Sequence, residues 1–91
     1  MEHIVYILYS ITHKKNYTGV TSNLIQRFYS HNIFGKGSSS KFRPWIVVHV
    51  EFFATKSEAF KREKYFKSGR GVRVKKQIIQ DFLSLWAHTL P

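Results

Sequence analysis

His3-Ile4-Val5-Tyr6-Ile7-Leu8-Tyr9, the polar break Ser10-Ile11-Thr12-His13-Lys14-Lys15, and Asn16-Tyr17-Thr18-Gly19-Val20 form the stretch whose reading decides the fold. The outer runs are β-branched and aromatic, and a short polar break between two such runs marks adjacent antiparallel strands. Directly opposed side chains share a face of the sheet. A connection with an even number of residues therefore puts Tyr6 and Tyr17 on the same side, with Gly19 opposite or diagonal to Tyr6 and room above its backbone. Thr21-Ser22-Asn23 supplies N-cap residues, and Leu24 to His31 then reads as helix. At about 100° per residue, Arg27 and His31 lie one turn apart on the edge of the apolar stripe made by Leu24 and Phe28. Two tyrosines, an arginine and a histidine are aimed at one volume over the hairpin.

Further along, Asn32 to Pro44 is the one loop-like segment, with glycine, serine and proline as breakers and Lys36, Lys41 and Arg43 as its charges. It reads either as a basic loop that settles on a phosphate backbone or as an ordinary solvated connection. Trp45 to Phe53 is the third strand. Strict alternation gives it one apolar face (Ile46, Val48, Val50, Phe52) and one mixed face, which suits the middle of a small sheet covered on both sides. His49 and Glu51 read as a cross-strand polar feature. Thr55-Lys56-Ser57-Glu58 has the form of a capping box, so a helix begins there. On its wheel Glu63 and Phe66 fall within about 40° of Ala59, while Lys61 and Lys64 point away. Glu63 is thus the lone acid on the inward stripe, and an ionised carboxylate there needs a partner: an arginine such as Arg27 or Arg62, or a metal ion. Ser68-Gly69-Arg70-Gly71 reads as the stop of that helix, with Gly69 or Gly71 as its C-terminal residue. Val72 to about His88 is a last helix with Ile78, Phe82 and Leu85 on one face, and Arg73, Lys75 and Lys76 in its first turns.

Ninety-one residues make one small domain, 1–91, of the α+β class: a three-stranded antiparallel sheet flanked by helices. Fifteen Lys and Arg against five Asp and Glu give a formal net charge of +10, and such an imbalance opposes compaction unless a polyanion is the usual partner. Nucleic acid is the first expectation. A membrane surface fits less well, because the basic residues alternate with core-forming ones instead of forming an amphipathic tail. The absence of cysteine excludes disulfides and thiolate metal sites. With no secretory pattern and no run of spanning length, the cytoplasm is the default location.

Val5-Tyr6, then Tyr17-Thr18-Gly19, then Arg27 and His31 at helical spacing, resemble the GIY-YIG nuclease domain, and the resemblance continues through Arg43-Pro44-Trp45 and Ser57 to Glu63. That superfamily includes the incision domain of the bacterial excision-repair nuclease, some homing and restriction endonucleases, and small stand-alone proteins. The resemblance implies a GIY-YIG-like fold and a Mg²⁺-dependent DNA endonuclease, structure-selective or non-specific, acting in DNA repair or recombination. Mn²⁺ would be able to substitute. It further implies that Tyr6, Tyr17, Arg27, His31 and Glu63 are catalytic. Glu63 would hold the metal ion and Arg27 the scissile phosphate. Tyr6 would be the general base or orient the water, either as a phenolate or by relaying the proton, with Tyr17 and His31 in its network.

Lys36, Lys41, Arg43, Arg73, Lys75 and Lys76 are the expected nucleic-acid contacts. Ile4 stands where the family name has glycine and Thr18 where it has isoleucine. The asparagine that many family nucleases carry in their C-terminal part has no counterpart, since no Asn follows Asn32, and Gln77 is the candidate substitute. Two rival readings stand beside the DNA endonuclease. One is a nucleic-acid-binding module without turnover that delivers a protein partner; the other is a protein directed at RNA.

Overall fold

The computed structural model describes residues 2–35 and 37–89, and for Phe34, Ser38, His88 and Thr89 only the backbone is described. Strand β1 (His3–Ser10) turns through residues 11–14 into β2 (Lys15–Thr21) as an antiparallel hairpin. Lys14 takes φ 55°, in the left-handed region. Ser10 fixes the turn from inside: its Oγ accepts the His13 backbone N–H at 3.2 Å. Tyr6 pairs with Gly19 and Leu8 with Tyr17, so the two tyrosines share a face, as the even connection requires.

β3 (Ile46–Phe53) pairs antiparallel with the other edge of β1, giving the order β2-β1-β3. The expectation that the third strand lies in the middle is corrected. β1 is central, with Val5, Ile7 and Leu8 at 0% exposure, whereas Phe52 of β3 is 58% exposed. Strict alternation in β3 also fails. The register against β1 slips between Ile7 and Leu8, where His49 and then Val47 are the partners and Val48 is the extra residue of a bulge. Ile46 and Val48 therefore join the core that contains Phe53, while Val47 and Val50 pack with Tyr6 and Trp45.

Two layers cover the sheet. Over the Tyr6 face lie α1 (Leu24–Tyr29), a π turn (Ser30–Phe34) and a 3-10 turn (Ser38–Phe42); Leu24, Phe28 and Phe42 pack there against Tyr6, Leu8 and Trp45. Over the opposite face lie α2 (Lys56–Phe66) and α3 (Gly69–Thr89), where Ala59, Phe66 and Ile79 meet Val5, Ile7 and Val48. The capping box forms as read: Thr55 Oγ1 accepts the Glu58 backbone N–H at 3.2 Å and donates to Glu58 Oε1 at 2.8 Å. Beyond it, Glu51 accepts from Arg62 through Nε at 2.7 Å and Nη2 at 3.0 Å, and pairs with His49 at 2.8 Å. Burial works to raise the Glu51 pKa, but the hydrogen bonds from Arg62 and His49 outweigh it and leave the carboxyl below its ordinary value.

Gly69 and Gly71 are not a helix stop; they open α3. Ser68 makes the corner, its Oγ donating to the Tyr65 carbonyl at 2.6 Å and accepting the Gly71 N–H at 3.2 Å. A Cβ on Gly71 would collide with the Tyr65 carbonyl and come within 2.8 Å of Phe66 Cα, so glycine permits the close crossing of α2 and α3. The inward stripe of α3 is Val74, Ile78, Ile79, Phe82 and Leu83. Leu85, expected inside, is 66% exposed. No helix among the described residues is long and apolar enough to cross a membrane.

Gly71→Ala tests the corner. The forced separation of α2 from α3 should lower stability by about 1–3 kcal/mol, which for a domain of this size is roughly 4–8 °C of Tm per kcal/mol. A thermal melt indistinguishable from wild type would show that the two helices are free to shift apart.

Candidate active site

Gly19 is where the site begins. Lacking a Cβ, it lets the Tyr6 ring lie across β2; a Cβ there would overlap the Tyr6 hydroxyl and come within 2.6 Å of Cζ. Tyr6 is 1% exposed, and its hydroxyl lies 3.0 Å from His31 Nε2. His31 Nδ1 in turn lies 2.9 Å from Ser39 Oγ. A buried phenol must place its proton on an acceptor, and His31 is the hydrogen-bond partner of this one among the described residues. Tyr6 accordingly donates to Nε2, and Nδ1 carries the imidazole proton and donates to Ser39.

The electrostatics keep this line neutral. Burial of the Tyr6 hydroxyl, reinforced by Tyr17 and Glu63, raises its pKa well above the ordinary 10.0, and the opposing pull of Arg27 is too small to reverse it. Burial therefore disfavours the phenolate form of the general-base expectation, and the hydrogen bond to His31 suits the relay form. Burial first, then the positive charges of Arg27 and Arg43, lower the pKa of His31 from 6.5, so the imidazole is unprotonated at neutral pH.

Tyr17 is the solvent-facing phenol, 37% exposed. Its ring stacks on Tyr6 with centroids 6.2 Å apart and lies 4.5 Å from the His31 ring. His31 itself comes from the π turn, one turn beyond the Arg27 helix. Three hydrogen bonds from Arg43 hold that turn: Nε to the His31 carbonyl at 2.6 Å, and Nη2 to the carbonyls of Ser30, at 3.3 Å, and Gly35. Asn32 ties it to β3 by accepting the Trp45 N–H at 2.6 Å and donating to the Trp45 carbonyl at 3.1 Å, while Trp45 Nε1 donates to the Ser39 carbonyl at 2.8 Å. The sequence reading missed Ser39 and Asn32, because a serine run and a single amide in a loop carry no periodic signal.

Arg27 is exposed and borders two adjoining clefts, of about 270 and 360 Å³, the second also lined by His3, Lys56 and Phe60. Glu63 projects from α2, in the layer on the opposite face of the sheet from Tyr6. Its charge still bears on the Tyr6 hydroxyl. It pairs with neither Arg27 nor Arg62: its partner is Lys67, one turn on, at 3.3 Å, with the lysine 57% and the glutamate 21% exposed.

Among the described residues no group of three or more His, Cys, Asp or Glu converges on a cation site. A single carboxylate with an exposed, exchangeable lysine partner fits a divalent cation that takes its remaining ligands from water and substrate phosphates.

The expected nucleic-acid contacts divide. Lys41, Arg73 and Lys76 are exposed. Lys36 lies outside the described residues. Arg43 is corrected: its guanidinium closes the π turn. Lys75 is corrected as well, being 8% exposed, with Nζ donating to Thr18 Oγ1 at 3.3 Å and its pKa lowered by burial and by Lys67. Gln77 does not stand in for the missing asparagine, since it donates to Asp81 at 2.8 Å on the exposed side of α3.

The hairpin thus sets Tyr6 and Tyr17 against His31 of the π turn, with Arg27 on the helix between them and Glu63 on the later helix α2. The family model of the GIY-YIG catalytic domain matches residues 2–75, and the chain belongs to that family. It is 39% identical to a UPF0213 protein of Staphylococcus haemolyticus over 69 residues, which is 74% of this chain and 82% of that one. It is also 39% identical over 67 residues to a UPF0213 protein of Listeria monocytogenes, 72% and 74% of the two chains. The solution NMR structure of a UPF0213 protein from Bacillus halodurans superposes with a TM-score of 0.52 at 29% identity, covering 88% of this chain and 84% of that one. The three-stranded antiparallel α+β architecture is therefore shared, and the family implies an endonuclease-type activity that depends on a divalent metal ion.

Gly19→Ala should drive the Tyr6 ring off His31. Overpacking of this kind destabilises by about 1–3 kcal/mol, and urea unfolding together with loss of the Tyr6–His31 contact in NMR spectra would register it. Wild-type stability with the contact intact would show that β2 yields instead of the ring.

Proposed function

We propose that this chain is a Mg²⁺-dependent endonuclease that hydrolyses DNA phosphodiester bonds, with little sequence preference, on repair or recombination intermediates in the cytoplasm. The observation that carries the reading is the buried Tyr6–His31 hydrogen bond at 3.0 Å, within the electrostatic reach of Arg27, in a family whose domain is catalytic. Hydrolysis needs a base for the attacking water and positive charge where the phosphate gains negative charge. Arg27, exposed between two clefts, is placed to receive the phosphate through its fork of donors. The Tyr6 oxygen takes the water proton as its own proton passes to His31 Nε2, so the base at neutral pH is the imidazole and the phenol is its relay. Ser39 holds the imidazole in the tautomer that can accept. Tyr17 covers the relay and presents its hydroxyl to the substrate side. Glu63 would hold the metal ion, which when bound supplies positive charge at the phosphate and an activated water.

The same residues favour a second reading at one point. With Gln77 engaged by Asp81, the candidate substitute for the family's C-terminal asparagine is occupied elsewhere, and a binding module that has lost turnover would show this pattern. Its binding would weaken steeply with salt while no nucleic acid was cut.

A panel of duplex, single-stranded and branched DNA, with RNA beside it, assayed with Mg²⁺, Mn²⁺ and chelator, separates the readings. Cleavage should require the metal and be abolished in Glu63→Ala. It should fall about 10²–10³-fold in Arg27→Ala and about 10²–10⁴-fold in Tyr6→Phe. Equal activity of Glu63→Ala and wild type would remove the assignment.

The pH profile checks the relay. The unprotonated imidazole is the active form and its pKa lies below 6.5, so activity should rise with pH through that region and level off by neutrality. A rise centred well above 7 would point to a phenolate instead.

A further inference from the structure

At the hairpin end of the site, Lys15, Asn16, Tyr17, Ser39, Phe42 and Trp45 line a pocket of about 200 Å³ beside the relay. Trp45, 3% exposed, is its floor. Tyr17 and Phe42 both meet Trp45 at steep angles, 64° and 83°, with ring centroids 6.4 and 6.3 Å away, so they stand as walls instead of closing the space by stacking on it. The rim is polar and positive. Lys15 Nζ sits 5.8 Å above the Phe42 ring, and the edge of the His13 ring meets the same phenylalanine at 5.5 Å. Asn16 is exposed, with an amide able both to donate and to accept.

Aromatic walls over an aromatic floor suit a flat ring, and the Lys15 ammonium at the mouth suits a phosphate beside it. Base stacking on aromatic side chains in a positively charged groove is how single strands are held without sequence readout. We propose that this pocket seats one unpaired nucleobase of the bound strand, stacked against Tyr17 and Phe42, with its polar edge toward Asn16 and Ser39 and its flanking phosphate toward Lys15. The proposal rests on reading the chain as a nucleic-acid nuclease and adds the form of the substrate: a strand that is unpaired next to the cut. Because Ser39 Oγ also receives His31 Nδ1, a base in the pocket abuts the relay directly.

The test is binding without turnover. ¹⁵N-labelled full-length protein in chelator is titrated with a dinucleotide and with the same dinucleotide lacking one base, in deoxy and ribo forms, and followed by amide and indole N–H shifts. The base-bearing ligand should shift Asn16, Ser39 and the Trp45 indole and bind about tenfold tighter than the abasic one, at the lower end of what stacking one base contributes. Phe42→Leu, which keeps an apolar side chain against Trp45 but removes the ring face, should reduce that ratio severalfold. Asn16→Asp, at an exposed position where folding is not at issue, should weaken the base-bearing ligand with its shifts still at the pocket.

Equal affinity for the two ligands, shifts confined to the clefts around Arg27, or no binding by either would overturn the proposal. Since no cleavage is measured, a chain that binds a base but never cuts would leave the pocket standing and remove only the nuclease assignment. A preference between the deoxy and ribo ligands tells which nucleic acid the pocket takes.

Discussion

Everything at the site follows from one close approach, the Tyr6 ring laid across the backbone of Gly19. Any other residue in that register position would lift the ring, and the hydroxyl would lose the line that joins it to the imidazole. Laying the ring flat also buries the phenol, and burial decides its chemistry. The hydroxyl stays protonated and must donate, and what it donates to is a histidine held neutral by its own burial and by two arginines. One missing side chain thus sets the packing of the hairpin, the tautomer of His31 and the direction in which a proton can travel.

The charge of the chain has a division of labour that its total of +10 conceals. Arg43 and Lys75 are structural, the one gathering backbone carbonyls and the other reaching Thr18 beneath β2. The acids are fewer, and most are engaged in holding the fold: Glu51 with Arg62 and His49, Glu58 in the cap, Asp81 with Gln77. Glu63 differs in having only a half-exposed lysine one turn away, and i,i+4 pairs of this kind are worth about 0.3–0.5 kcal/mol. A carboxylate so weakly engaged, whose field also reaches the buried phenol, is free to exchange its lysine for another cation.

The hairpin, the face shared by the tyrosines and the capping box were legible because each is a local rule expressed in adjacent residues. Alternation fixed the faces of β1 and β2, and Thr55 with Glu58 announced α2. What escaped was set by tertiary contact. The bulge at Val48 depends on which residues of β1 it meets, so strict alternation put Val48 and Val50 on one face when they lie on two. Gly71 carries the composition of a helix stop, yet its lack of a Cβ serves a helix crossing. Arg43 and Lys75 counted as phosphate contacts because a charge count says nothing of burial. The meeting of Tyr6, Tyr17 and His31 was readable from period and spacing, but the hydroxyl that completes the line, on Ser39, lies in a loop with no period to read.

That loop changes how the site is understood. Read as a string of glycine, serine and lysine, it is the part of the chain least constrained to one shape. In the folded protein it is tied at several points: Arg43 across the π turn, Asn32 to Trp45 in both directions, and Trp45 back to the Ser39 carbonyl. Ser39 therefore stands where two systems meet, its carbonyl anchoring the aromatic floor of the pocket and its hydroxyl anchoring the imidazole. A rotation of this one residue large enough to release either would disturb both. The hydroxyl bonded to the imidazole and the carbonyl bonded to the Trp45 indole are consequently fixed by the same turn, so that on the proposed function proton transfer at His31 would be tied to the way a substrate lies against Trp45.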